Sequence, residues 1–458
     1  MPPKPREWIY LPRHADLEQI FDAACSMDCL SVVGVSNLGK SATLRALCDP
    51  VVQADYLDDN PRDYLFVYID FNQMLEMSDQ AFYELVLRSS IESIRAQDIN
   101  GGVLQQVETA YTGLVAPSSP FEIPLRFSQG MAAIGDQLAE KVVFLFDEVD
   151  GPVAGIDGRV FLNLRALRDR HRGGLTYVTA TNRRLDQIRQ DPDVAEFGEL
   201  FEHGTLYLSM LSEMEVRQLA TRYAAEEGVT FSGDDLKFIQ LWTGGHPALL
   251  ETTCRILGML TGRPVREPSQ DSIIHARATE MLSQDLNVLG ECRKIWNDLT
   301  EAEQQAMLSV AAGSEEVRGA GLDGLTAKHL LTPNSSDYKI FSRSFAEFVN
   351  RQNASRRPAS QVLRVDPDSG EVWANGVKLP ALTNLEYRLL LLLYGKIGKI
   401  VDKYQVVEAV WGEDYIDDVD DARIEKLISR LRQKIETDPA NPKHLFTVRG
   451  RGYRLAEG

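Results

Sequence analysis

Two glycines, a lysine and a serine pose the first chemical question. In VVGVSNLGKS, residues 32–41, Gly34, Gly39, Lys40 and Ser41 stand in the order G-x-x-x-x-G-K-[ST], directly after an apolar run. A glycine loop between a buried strand and a helix N-terminus gathers backbone N–H groups around phosphate. Gly34 and Gly39 allow tight backbone paths, and Asn37 lies between them in the expected cradle. Lys40 can reach the outer phosphates, and Ser41 can ligate magnesium. A second element, FLFDEVD, ends in acids. A carboxylate at the carboxyl end of a buried parallel strand borders the crevice where such sheets bind ligands. Asp147 is expected to hold Mg2+, Glu148 to polarise the attacking water, and Asp150 to cap or pair. Asn182, in TATNRR, can position that water, with Thr179 or Thr181 sharing the work; a helix cap is the other reading of Asn182. Arg165, Arg168, Arg170, Arg172, Arg183, Arg184 and Arg189 offer trans-acting charge, or simply a solvated face.

A different chemistry is written at the C-terminus. DARIEKLISRLRQKIE, 421–436, carries an apolar stripe of Ile424, Leu427, Ile428, Leu431 and Ile435. Arg423, Lys426, Arg430, Gln433 and Lys434 lie off that stripe. A helix with such a basic face matches the width of a DNA major groove. HLFTVRGRGYRL, 444–455, predicts a hairpin turning at Gly450-Arg451-Gly452, with Arg449, Arg451 and Arg454 about its tip. Arg430 is expected at a guanine edge or at a phosphate inside the groove, and Arg451 at phosphate or the minor groove. The acids of EDYIDDVDD, 413–421, can weaken phosphate binding here, or contact another subunit or polymerase.

Holding these residues in place requires several elements. Apolar strands at 65–70, 141–150, 175–183 and 204–211 alternate with helices at 14–30, 41–48 and 78–96. That alternation predicts a parallel sheet covered on both faces. Residues 98–124, rich in Gly, Pro, Ser and Gln, predict an irregular insertion. After 212 the pattern turns helical, at 212–227, 233–242, 246–262 and 269–289. A small unit with helices near 301–311 and 322–330 follows, then the polar stretch RQNASRRPAS. The last domain opens with short strands joined at Pro-Asp-Ser-Gly and Ala-Asn-Gly. Thr383 with Glu386 predicts a capping box, and Asp402 with Gln405 opens the next helix. The expected fold class is multidomain α/β and α+β. Its boundaries are 1–211 for the sheet domain, 212–290 for a helical lid, 291–351 for the small unit, 352–360 for a linker and 361–458 for the last domain.

Composition narrows the function classes. The chain has 458 residues, 44% of them hydrophobic, and a net charge of −18, which argues against nonspecific coating of nucleic acid. From Arg423 onward, however, 9 Lys/Arg face 4 Asp/Glu. No apolar run is long enough for a membrane span, and MPPKPREWIY is not a secretory signal. Five scattered cysteines fit a reducing cytosol. Cys25 and Cys29 are read as buried helix residues rather than a metal pair. A cytoplasmic location is expected, nucleoid-associated when active.

With those motifs in view, residues 10–350 resemble the nucleotide-binding module of the AAA+ superfamily, in its signal-transducing STAND branch and archaeal-type ATPase relatives. Tyr10-Leu11-Pro12-Arg13 stands where that group has an entry motif near the adenine, which implies Arg13 as a nucleotide contact. GGHPALL, 244–250, resembles its Gly-x-Pro element, which implies Pro247 beside base and ribose. The unit at 292–352, ending IFSRSFAEFV, resembles the family's winged-helix subdomain, which implies a packing role. Residues 361–458 resemble the winged-helix effector domain of OmpR/PhoB response regulators. The four-strand start, LTxxE, EAVWG, SRLRxKIE and TVRGRGYRL match in order. Leu427, where a polar residue is common, can face inward or toward DNA.

The leading expectation is an ATP/ADP-gated regulator that binds a double-stranded DNA operator, assembles into a homo-oligomer on activation and hydrolyses ATP slowly as a switch. RNA polymerase or a signal protein is a further expected partner, and a membrane is not. The alternative is a DNA-stimulated AAA+ ATPase of defence or recombination that uses the winged helix for DNA loading.

Overall fold

A computed structural model describes residues 13–57, 60–97, 101–137, 141–262, 271–313, 319–334, 337–356, 363–365, 371–374, 377–379, 382–412, 421–436, 438–439, 441–448 and 450–456. Two compact units divide the chain, Met1–Arg351 and Gln352–Gly458. The helix Arg343–Arg356 crosses from the first unit into the second.

The first unit is built on five strands: β1 (Leu30–Val33), β2 (Tyr64–Asp70), β3 (Lys141–Asp147), β4 (Leu175–Thr181) and β5 (Thr205–Tyr207). All pairings are parallel, in the order β2-β3-β4-β1-β5. Their near-continuous apolar sequences follow from burial on both faces. Val32, Leu145 and Val178 join one core, with Trp242 and Leu249 of the lid and Met307 and Phe345 of the small unit. Phe144, Phe146 and Tyr177 join the other, beneath the helices Asp79–Ala96, Gly101–Val115 and Arg159–Arg170. The register pairs Asp70 with Asp147 and Val33 with Thr181, so the strands finish along one rim.

Three expectations need correction. Residues 98–124 are no irregular insertion: helices Gly101–Val115 and Glu122–Gln137 occupy most of it. Val103, Val107, Ala110 and Leu114 are buried at spacings of four, three and four, a helical stripe that the local glycines obscured. The helix expected at 269–289 is two, Asp271–Gln284 and Leu286–Asn297, because Asp285 caps the second through the N–H groups of Asn287 and Val288 at 2.9 and 3.1 Å. The first helix stops at Cys25, so Cys29 leads into β1 rather than standing one helical turn away. All five cysteines are free.

Gly244 and Gly245 join the lid helices Gly233–Thr243 and Pro247–Thr261, with φ of 57° and 83°. A Cβ would lie 2.2 Å from Phe341 O at the first and 2.2 Å from Leu211 O at the second. Only glycine meets both demands. The small unit pairs helices Glu301–Ala311 and Ala320–Ala327 with a hairpin of β6 (Leu331–Asn334) and β7 (Asp337–Ile340). Its Lys328 is buried on Glu303 at 2.8 Å.

The second unit contains β8 (Leu363–Val365), β9 (Val372–Ala374) and β10 (Val377–Lys378) in one antiparallel sheet. Among the described residues this sheet has three strands rather than the expected four. Helices Asn384–Tyr394, Lys403–Trp411 and Asp421–Ile435 follow, with a second sheet ordered β11 (Ile400–Val401), β13 (Gly452–Leu455), β12 (Leu445–Val448). The Thr383–Glu386 capping box is present.

Candidate nucleotide site and nucleic-acid interface

The rim of the sheet gathers the predicted nucleotide residues. Gly34 follows β1, and Gly39, at φ 104°, precedes the helix Lys40–Ala46. Strand β4 lies between β1 and β3, which separates the glycine loop from Asp147 by two strand spacings, roughly 10 Å. Asn182, just beyond β4, therefore lies between them. Lys40 is 3% exposed and donates to Gly34 O at 2.8 Å, Val35 O at 3.2 Å and Asn182 Oδ1 at 2.6 Å. Burial pushes its pKa down, while Glu148, Asp150, Asp298 and Asp147 push it back up. A phosphate at this point would take the ammonium from those three acceptors. Thr179 and Thr181 are wholly buried, so Asn182 is the residue of that strand end that reaches Lys40.

Asp147 is 1% exposed. Its Oδ2 accepts from the Tyr68 hydroxyl at 2.6 Å, and its Oδ1 is buried without a partner. An orphaned carboxylate oxygen at this rim fits a hard cation. Among the described residues no three His, Cys, Asp or Glu side chains form a cage. Magnesium at this point would rely on Asp147, Ser41 and the nucleotide's own phosphates, its usual pattern. Glu148 has φ 57°, a conformation uncommon outside glycine and concentrated at functional sites. Burial raises its pKa against the pull of Lys40, which makes it a better proton acceptor than a free glutamate. Asp150 accepts the Asn182 backbone N–H at 2.9 Å and so fixes that residue's path.

The loop apex has partners that sequence did not reveal. Ser36 N–H donates to Asp298 Oδ2 at 2.6 Å, His246 Nε2 lies 3.0 Å from Ser36 O, and Asn37 donates to Glu291 Oε2 at 2.6 Å. Asn37, like Glu148, has φ 57°. Arg13 braces the loop from below, donating to Leu38 O at 2.6 Å, Asp16 at 3.2 Å and the Ser209 carbonyl. Its terminal nitrogens are thus engaged with protein rather than presented to a base. Pro247 is the first residue of its helix, half-buried beside His246. Arg183 holds Asp298 O at 2.9 Å and the Asn297 carbonyl. Arg165, Arg184 and Arg189 are paired with Glu199, Asp186 and Asp191. A cavity of about 570 Å3, lined among others by Ser31, Arg189 and Phe201, includes none of the loop residues or Asp147.

In the second unit the buried stripe of helix Asp421–Ile435 is Ile424, Leu427, Ile428, Leu431 and Ile435. Leu427, 5% exposed, faces inward. Arg423, Lys426 and Arg430 are exposed along the helix, as is Arg451 between Gly450 and Gly452 at the hairpin turn. Gly452 has φ 129°, and a Cβ there would meet Val401 O at 2.0 Å. Lys434 departs from the expected basic face: its ammonium closes on Glu386, the capping-box acid, at 2.7 Å. Glu436 accepts the N–H groups of Lys443, His444 and Leu445 at 2.9, 2.8 and 2.8 Å, which commits it to the hairpin. Arg432 also ties helix to hairpin, through Leu445 O and Thr447. Arg449 and the acids 413–420 lie outside the described residues.

Known proteins resemble parts of both units. Residues 378–455 match the family described as "Transcriptional regulatory protein, C terminal". The sensory transduction protein RegX3 of Mycobacterium leprae is 42% identical over 93 residues, covering 20% of this chain and 46% of that protein. The chain thus spans less than half the length of that relative. The RstA DNA-binding domain of Klebsiella pneumoniae, solved with its RstA box, is 30% identical over 21% of this chain and 91% of that one, with a TM-score of 0.19. The Walker-type ATPase PABY2304 of Pyrococcus abyssi is 14% identical over 76% of this chain and 98% of that one, with a TM-score of 0.47. The second unit is an OmpR/PhoB-type winged-helix domain. The first is a five-stranded parallel sheet whose strand β1 runs into a glycine loop and the helix Lys40–Ala46. No described helix is long and apolar enough to cross a membrane.

Proposed function

We propose that the chain is a sequence-specific transcription regulator of the STAND type, whose binding to a double-stranded DNA operator is gated by ATP and ADP in the first unit. The observation that carries this reading is the meeting of Lys40, Asn182, Asp147 and Glu148 on one rim, in a chain whose second unit exposes Lys426, Arg430 and Arg451. Lys40 neutralises the outer phosphates, and the loop N–H groups cradle the inner ones. Ser41 and Asp147 hold magnesium, which when bound offsets phosphate charge. Glu148 takes the proton of a water that Asn182 orients, giving slow hydrolysis that resets the switch. Nucleotide state biases assembly, and two DNA readers on adjacent half-sites gain effective affinity without new contacts. Contact with RNA polymerase or a signal protein belongs to the same reading.

Genome-wide mapping of the intact protein supplies operators. Labelled operator duplex is then titrated with the protein plus ADP, and plus a non-hydrolysable triphosphate with Mg2+. A change in affinity or stoichiometry is expected, and identical curves refute the gating. Steady ATP turnover strongly stimulated by any DNA would instead favour the DNA-loading ATPase.

A further inference from the structure

The glycine loop offers its N–H groups to anions, and one of them is already held by a carboxylate of this chain. Asp298 closes the helix Leu286–Asn297, and its Oδ2 accepts the Ser36 N–H at 2.6 Å. The residue is 9% exposed. Arg183 fixes the same turn through the Asp298 carbonyl, and Glu291, on the same helix, grips Asn37. A carboxylate oxygen on a loop N–H stands where a phosphate oxygen would.

The position along the loop decides which phosphate. The inner phosphates lie over the N-terminus of the helix Lys40–Ala46. Ser36 is four residues earlier, next but one to Gly34, whose carbonyl the Lys40 ammonium touches. That ammonium serves the outer phosphates, and the charge of Asp298 acts on it. Asp298 and the outermost phosphate therefore claim the same N–H and the same field.

We propose that Asp298 is a specificity-determining residue that makes the loop distinguish nucleoside diphosphate from triphosphate. A diphosphate ends short of Ser36 and leaves the Asp298 contact intact. A triphosphate brings a like charge against that carboxylate and must evict it. Eviction releases the end of the helix Leu286–Asn297, and with it the grip of Glu291 on Asn37. The inference rests on the nucleotide reading of the loop above.

The test uses the full chain with Mg2+, fluorescent ADP and a fluorescent non-hydrolysable ATP analogue. Asp298→Asn keeps the shape, and its amide oxygen can still accept from Ser36, so the variant removes the charge alone. Like-charge contact is costly enough that triphosphate affinity should rise about tenfold or more, against less than about threefold for ADP. An equal change for both nucleotides, or none, overturns the proposal. Lys40→Ala is the companion variant. If wild type binds and Lys40→Ala does not, an unmoved ratio in Asp298→Asn refutes only the role of Asp298. If wild type and Lys40→Ala bind alike, the nucleotide reading fails and the proposal fails with it. Hydrogen exchange on the wild type gives an independent reading should Asp298→Asn not fold. The triphosphate analogue should speed exchange across 286–300 and ADP should not; the same response to both overturns the proposal.

Discussion

Lowering the pH should destabilise the fold through a single buried imidazole that braces the glycine loop. His246 is wholly buried, its Nε2 lies 3.0 Å from Ser36 O, and its Nδ1 has no partner. Since Ser36 O can only accept, Nε2 must carry the proton and donate. Protonating Nδ1 would create a buried donor with nothing to receive it. Burial, with help from Arg13 and Lys40 and against Ser36 O and Glu291, lowers the pKa from 6.5 to about 4. Below pH 6.5 the unfolded chain takes up a proton that the folded chain refuses. Stability therefore falls as the pH drops from 6.5 to about 4, and is unaffected by this group above 6.5. The full shift corresponds to roughly 3 kcal/mol, and about 2 kcal/mol of it is lost by pH 5. Urea unfolding of wild type and His246→Gln between pH 8 and pH 5 checks this. The glutamine amide can donate to Ser36 O but does not titrate, so the variant should lose about 2 kcal/mol less over that range. Glu148, Asp150 and Asp298 titrate in both proteins. Parallel pH profiles for the two would refute the argument.

Other perturbations address the two chemistries separately. Lys40→Ala removes the charge facing the outer phosphates and should weaken ATP and ADP binding by about a hundredfold or more in calorimetry, while the second unit still binds DNA. Glu148→Gln should keep nucleotide binding, slow hydrolysis by about a hundredfold and, with ATP, give larger particles in sedimentation. Arg430→Ala should cost about 1–3 kcal/mol at one base pair of the operator and relax preference there. Arg451→Ala should weaken all duplexes alike and reduce the salt slope by about 1 in a salt series.

Local patterns were readable in the sequence, and distant contacts were not. The glycine loop, the acids ending β3 and the stripe of helix Asp421–Ile435 depend on spacings of a few residues, and each lies where spacing put it. Tyr68 reaches Asp147 only because β2 and β3 are in register. Asp298 meets Ser36 across 262 residues of chain, and no spacing announces that. Lys434 looked like a free groove residue because its partner, Glu386, is 48 positions away. The helix Gly101–Val115 was a local miss. Its apolar period was present, but glycine and glutamine between the buried positions suggested a loop.

The place of β1 in the sheet also governs how the protein can be made. Its neighbours are β4 and β5, whose first residues are Leu175 and Thr205. Once β1 has been synthesised, about 140 further residues must be added before a partner strand begins. At roughly 5–20 residues per second the wait is on the order of ten seconds. During it the apolar strand that carries the glycine loop has both edges unpaired, while β2 and β3 are able to associate first. The glycine loop is therefore expected to be among the last parts of the sheet to close, with residues 30–33 unpaired until β4 arrives.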